Sequence, residues 1–126
     1  MKVLGLDHIN ISGRKPLIEE CRDFYVNVLG LHEGHRPSFR AAGFWLYAGE
    51  RAMVHLTVRD RETSLSSNSA FDHCALSCSG LESAVERLKR HSVAYTIKQV
   101  PGSGDAQIFL KDPGGLELEL NFRSGG

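Results

Sequence analysis

An internal echo limits the folds open to this sequence. LDHINIS at residues 6–12 and FDHCALS at residues 71–77 align Asp7 with Asp72, His8 with His73 and Ser12 with Ser77, each pair 65 positions apart. Three identities in seven could arise by chance, but the segments after the two stretches also match. After the first, Leu17, Cys21, Phe24, Val28 and Leu29 fall at helical spacing, with Pro16 in the first turn and Gly30 as the stop. After the second, Leu81, Ala84, Val85 and Leu88 form an apolar stripe, and Ser79 and Glu82 have the spacing of a capping box. Strands are then predicted around Phe39, over 44–47 and over 53–58 in the first half, and over 94–100, 107–110 and 116–122 in the second.

Each half therefore reads βαβββ, and the fold class is α+β. The modules run over about 1–58 and 71–123, joined by the polar, Ser-rich linker RDRETSLSSNSA at 59–70. A unit of this size used twice is too large and too few for a solenoid, so two modules sharing one cavity is the expected packing. The 126 residues, 41% hydrophobic, suffice for a single compact domain over 1–126.

Charge narrows the function. Fifteen Lys plus Arg balance fifteen Asp plus Glu, and no basic run points to nucleic acid or an anionic membrane surface. A small neutral or metal-chelating partner is expected instead. The opening MKVLGLDHIN meets Asp7 and His8 too early to hold a signal-peptide apolar stretch, and no window is long enough to span a bilayer, so a cytoplasmic location is expected. Cys21, Cys74 and Cys78 include no C-x-x-C, which favours buried reduced thiols over a disulfide or a metal role.

Strand alternation makes a geometric claim. On the first strand His8, Asn10 and Ser12 share a face against Ile9 and Ile11; on its counterpart His73, Ala75 and Ser77 oppose Cys74, Leu76 and Cys78. MVHLTV sets Met53, His55 and Thr57 against Val54, Leu56 and Val58. In LELELNF the leucines and Phe122 share one face, while Glu117, Glu119 and Asn121 share the other. With the apolar faces against the helices, each module would present one ligand-type residue from its first strand and one from its last: His8 with His55, and His73 with Glu119. A single histidine of this kind is more often a hydrogen-bonded polar residue. Four at equivalent places in two modules instead point to one metal site, and three imidazoles with a carboxylate suit Zn, Fe, Ni, Mn or Co. Glu117 is placed at the rim, and His32, His35 and His91 at the solvated surface. Asn10, Thr57 and Ser77 are substrate-binding candidates by strand face, with Arg40, Trp45 and Phe109 from neighbouring segments; Phe39, Phe44, Tyr47, Gln107 and Arg123 are further possibilities. Arg40 and Arg123 stand out because either could hold an anionic group.

LDHINIS, FYVNVLGL, MVHLTV, FDHCALS and DPGGLELEL together resemble the vicinal oxygen chelate superfamily of glyoxalase I, extradiol dioxygenases, methylmalonyl-CoA epimerase, and fosfomycin- and bleomycin-resistance proteins. The resemblance covers nearly the whole chain. It implies paired βαβββ modules forming a half-open barrel around a divalent metal, here held by His8, His55, His73 and Glu119. Short members are often homodimers whose two modules at one metal come from different chains. The shared mechanism it implies is chelation of two neighbouring substrate oxygens, with glyoxalase-like lyase or isomerase chemistry the first expectation and Glu119 as ligand and proton carrier. Glyoxalase I-like enzymes usually have Glu or Gln where this chain has His55, which tells against glutathione-hemithioacetal isomerisation. His8, His73 and Glu119 alone resemble the triad of Fe(II) extradiol dioxygenases, the alternative. Fosfomycin-modifying members share that triad, but Asn10 stands where they have Thr. A non-catalytic, drug-binding protein is the third possibility.

Overall fold

The computed structural model describes residues 1–60 and 70–124. The chain divides into two compact units, 1–63 and 64–126. The first contains β1 (Ile9–Gly13), α1 (Lys15–Asp23), β2 (His32–Gly34), β3 (Gly43–Ala48) and β4 (Arg51–Val58). The second contains β5 (Cys74–Cys78), α2 (Leu81–Arg90), β6 (Thr96–Gln99), β7 (Ala106–Lys111) and β8 (Glu117–Phe122). Of the linker read at 59–70, residues 61–69 lie outside the described residues.

Each unit builds one four-stranded mixed sheet, in the order β1-β4-β3-β2 and β5-β8-β7-β6. In both, the first strand pairs in parallel with the last, and the remaining pairs are antiparallel. The repeat in sequence is thus a repeat in topology, and neither sheet closes on itself. The helix makes the topology possible: α1 crosses from β1 to β2 at the far edge of the sheet, packing on β1, β3 and β4, so that β4 can return parallel beside β1.

Alternation sorts the faces as expected. In the first unit Leu46, Val54 and Leu56 are fully buried along with Ile18, Cys21 and Tyr25, so the β3–β4 apolar face and the helical segment form the core. In the second, Leu118, Leu120 and Phe122 are buried on β8, Ile108 and Leu110 on β7, and Leu88 on α2. Pro16 lies in the first turn of α1, which runs on into a wider π-turn over Phe24–Val28. Gly30 then ends the segment with φ +81°, a conformation few other residues adopt without strain. The three cysteines are free thiols, and burial pushes those of Cys74 and Cys78 up.

Three local expectations are corrected. The strand expected around Phe39 forms earlier, at His32–Gly34, because the Tyr47 ring lies over Gly34 where a Cβ would come within 2.7 Å, and the Tyr47 hydroxyl donates to the His35 carbonyl. Phe39 itself sits in a turn, its N–H bonded to the Pro37 carbonyl. The Ser79/Glu82 capping box does not form: Gly80 is the N-cap, no side chain caps it, and Ser83 Oγ donates to the Gly80 carbonyl instead. Finally, β1 and β5 begin one residue after their histidines, so the Asp7–His8 and Asp72–His73 pairs precede the strands.

The DPGG turn before β8 is organised by Asp112. Its Oδ1 accepts the N–H groups of Gly114 and Leu116, both at 2.9 Å, and its own backbone exchanges hydrogen bonds with Leu116 and Gly115. This buried carboxylate fixes the entry of β8 and so the register that carries Glu119.

Candidate functional site

In the first module the polar face of the sheet is set by register. Asn10 lies opposite His55, and Ser12 opposite Thr57; Trp45 lies opposite His55, and Gly43 opposite Thr57. Trp45, His55 and His8 form a layered stack: Trp45 and His55 ring centroids are 4.0 Å apart and inclined by 11°, His55 and His8 3.8 Å apart and inclined by 15°. Thr57 Oγ1 donates to Asn10 Oδ1 at 2.9 Å.

His8 is held from behind. Its Nδ1 is 2.7 Å from Asp7 Oδ1, and this hydrogen bond draws the Asp7 carboxyl below its ordinary range, so the carboxylate accepts and Nδ1 donates. That fixes the lone pair of a neutral His8 on Nε2. Arg51 of β4 donates to the Leu6 carbonyl at 3.1 Å and anchors the segment that carries the pair. His55 Nε2 faces the Ala52 carbonyl at 3.0 Å, which leaves Nδ1 as its free nitrogen. Burial, and then the neighbouring His8, push the His55 pKa down.

The second module repeats the device. His73 Nδ1 is 2.7 Å from Asp72 Oδ2, and its Nε2 faces Glu119 Oε1 at 3.9 Å, beyond hydrogen-bond reach. The Asp72 hydrogen bond, and more weakly the Glu119 charge, raise the His73 pKa. Glu119 Oε2 is engaged by Asn121 Nδ2 at 2.9 Å. Phe109 stands opposite Glu119 as Trp45 stands opposite His55, and Ala75 flanks Glu119 as Asn10 flanks His55.

Each module thus brings its two ligand-type residues together: His8 with His55, and His73 with Glu119. Within either module, among the described residues, no group of three His, Cys, Asp or Glu gathers as a metal cluster. Of the substrate candidates, Asn10, Thr57 and Trp45 stand around His55, and Phe109 beside Glu119. Ser77 is exposed on β5 opposite Asn121. Arg40 is exposed at a bend in the loop before β3, and Arg123 lies 3.6 Å from Asp105. Glu117 meets Lys111 at 3.4 Å at the exposed edge of its face.

Sequence reasoning did not single out Asp7, Asp72 or Arg36. The signal for the aspartates was present, since both belong to the repeated D-H. Arg36 left none, because its placement depends on a loop.

A sequence profile of the Glyoxalase/Bleomycin resistance protein/Dioxygenase superfamily matches residues 5–120. The chain belongs to this superfamily. Solved structures agree on the fold of this glyoxalase-superfamily chain. A protein assigned to the glyoxalase family from Bacillus anthracis superposes with a TM-score of 0.79 at 18% identity, over 98% of both chains. A glyoxylase/bleomycin resistance protein/dioxygenase domain from Frankia sp. gives 0.79 at 17% identity, over 99% of this chain and 96% of that one. The fosfomycin resistance protein FosX from Listeria monocytogenes, complexed with Mn(II) and a dihydroxypropylphosphonic acid, gives 0.66 at 15% identity, over 99% and 95%. No curated protein matches the sequence. No helix among the described residues is long and apolar enough to cross a membrane.

Proposed function

We propose that the protein is a divalent-metal enzyme of the glyoxalase-like lyase or isomerase type. It acts on a small metabolite with two neighbouring oxygens, and His8, His55, His73 and Glu119 are its metal ligands. The observation that carries this reading is the doubled Asp–His pair. In each module a carboxylate 2.7 Å from Nδ1 orients a histidine and directs Nε2 outward. A carboxylate behind the ligating imidazole is the usual support of a metal-binding histidine. A solvated surface histidine has no need of the same support twice, at equivalent places in a repeat.

The donor set fits a borderline ion such as Zn, Fe, Ni or Mn. Such an ion would supply Lewis-acid stabilisation of negative charge developing on two adjacent substrate oxygens. The remaining work falls to the chain. Asn121 donates to Oε2 of Glu119 and orients the carboxylate with Oε1 toward His73, where Glu119 can serve as ligand and as proton carrier. With Thr57 Oγ1 donating to Asn10 Oδ1, the Asn10 amide N–H groups are left to donate to a substrate oxygen, and the Thr57 oxygen can accept from a substrate hydroxyl. Trp45 and Phe109 provide apolar walls beside His55 and Glu119.

One observation favours a second reading. His55 is stacked between Trp45 and His8, a geometry suited to a platform as well as to a ligand. If His55 only packs, then His8, His73 and Glu119 form a two-His, one-carboxylate set, which suits an Fe(II) dioxygenase.

The test is elemental analysis of untagged protein purified without oxygen. Near-stoichiometric zinc, nickel or manganese supports the lyase or isomerase reading, and near-stoichiometric iron supports the dioxygenase. Protein that neither retains nor rebinds a metal would instead be a small-molecule-binding module, and the proposal would fail.

A further inference from the structure

The loop from 35 to 42, between β2 and β3, carries a cation that no acid neutralises among the described residues. Arg36 is half-buried. Its guanidinium lies 5.0 Å over the Phe39 ring, and Nη2 donates to the Ala41 carbonyl at 3.0 Å. The group rests on Gly43: a Cβ there would come within 3.0 Å of Arg36 Nη2 and 2.0 Å of the Leu56 carbonyl oxygen, so only glycine leaves room for it. Gly43 is in register with Thr57, and two residues further along the same strand Trp45 is in register with His55. Strand alternation puts Gly43 and Trp45 on one face, so Arg36 lies over the face that carries Asn10, His55 and Thr57. Phe39, the ring beneath the guanidinium, is itself 6.1 Å from Trp45.

The hydrogen bonds of this guanidinium are incomplete. Nε is buried and has no partner. Nε is thus out of reach, and an anion can meet this guanidinium only at its Nη edge, beside the Nη2 bond to Ala41. Arg40, four residues along the same loop, is exposed, and Arg123 already has Asp105 beside it. Arg36 is therefore a cation on the first module's polar face with donors left over for a ligand; Arg51, at the start of β4, is tied to the Leu6 carbonyl.

We infer that Arg36 is the anion anchor of the site: it receives a carboxylate or phosphonate group of the ligand while the ligand's other oxygens lie toward His8 and His55. The planar fork of arginine matches the two oxygens of either group. The Phe39 ring lies under the guanidinium, and Trp45 walls the path between anion and histidines. This inference rests on the proposed reading of the same site, and it narrows the substrate class to small anionic metabolites that carry further oxygens.

Trp45 is the sole tryptophan, so intrinsic fluorescence reports from beside Phe39 and His55. Metal-stripped protein is titrated with phenylphosphonate, with benzoate and, as the neutral control, with benzyl alcohol. A saturable change is expected with at least one of the two anions and none with the alcohol; which anion responds tells phosphonate from carboxylate. Arg36→Met, which keeps the packing over Phe39, should weaken that binding about tenfold or more, the share of one charge-assisted hydrogen bond. Arg36→Lys, which keeps charge but loses the fork, should fall between and also serves if the Met variant folds poorly. Both variants should bind Mn(II) or Zn(II) as the wild type does. Anion affinity unchanged in Arg36→Met, or no saturable response to either anion, overturns the inference. Because the anion titrations contain no metal, their failure is distinct from failure of the metal reading.

Discussion

Asp7 and Asp72 each sit one residue before a histidine and close the same 2.7 Å contact to Nδ1. If these contacts orient metal ligands, Asp7→Asn and Asp72→Asn should each weaken metal affinity by about 10–100-fold while leaving the thermal transition nearly in place. Calorimetric titration with Zn(II) or Mn(II) measures the first, and circular dichroism the second. Unchanged affinity in both variants would reduce the pairs to ordinary hydrogen bonds at the surface. His55→Ala separates the two ligand sets: loss of metal makes the stacked ring a ligand, and retention leaves it a platform. Individual residues were readable in the sequence where the repeat spoke. The pairing of His8 with His55 and of His73 with Glu119 comes from alternation in two matched halves, whereas the equivalence of Trp45 and Phe109 emerges only from the strand register. The Asp–His contacts were not readable, because they form just outside the strands, where period-2 alternation says nothing about direction.

Elements that depend on periodicity were legible, and those that depend on loops were not. Leu46, Val54 and Leu56 face the core as their alternation requires, and removing one should be expensive: Leu56→Ala is expected to cost about 2–5 kcal/mol in denaturant unfolding. Gly43→Ala is expected to destabilise by about 1–3 kcal/mol, since its Cβ would meet the Leu56 carbonyl and β3 must move to relieve it. β2 was misplaced because the fit of Gly34 beneath Tyr47 is a contact between residues thirteen positions apart on different strands, invisible to a local pattern. The end of β8 carries a pH dependence. The Ser124 backbone N–H bonds Asp105 at 2.7 Å and holds its carboxyl below the ordinary value of 3.8. A depressed folded-state pKa means that this tie is fully present above about that ordinary value and is lost as pH falls through the lower folded one. Acid unfolding of the wild type and of Asp105→Asn should therefore converge at the acid end. At neutral pH the variant should be the less stable.

For the whole molecule the two modules carry equal shares of the ligand set, and one module alone offers two ligand-type residues. We propose a homodimer. Apolar Val3, Leu4, Leu6 and Phe71 are exposed on the single chain, close in sequence to the two Asp–His pairs, which is consistent with a partner covering them. Sedimentation should give about twice the 13.9 kDa of one chain, and Leu4→Asp with Leu6→Asp should shift it toward the monomer. A monomeric wild type would require both modules at one metal to come from one chain. Two copies of βαβββ were legible in the sequence because a repeat constrains topology as well as residues.

If the two repeated histidines and Glu119 hold one metal, each must matter to its affinity. Calorimetric titration of Mn(II) and Zn(II) into the metal-stripped wild type and into His8→Ala, His73→Ala and Glu119→Ala decides this. Tight binding by the wild type and loss of about tenfold or more in each folded variant is the predicted result. Full affinity in all three variants, or no binding by the wild type, would contradict it.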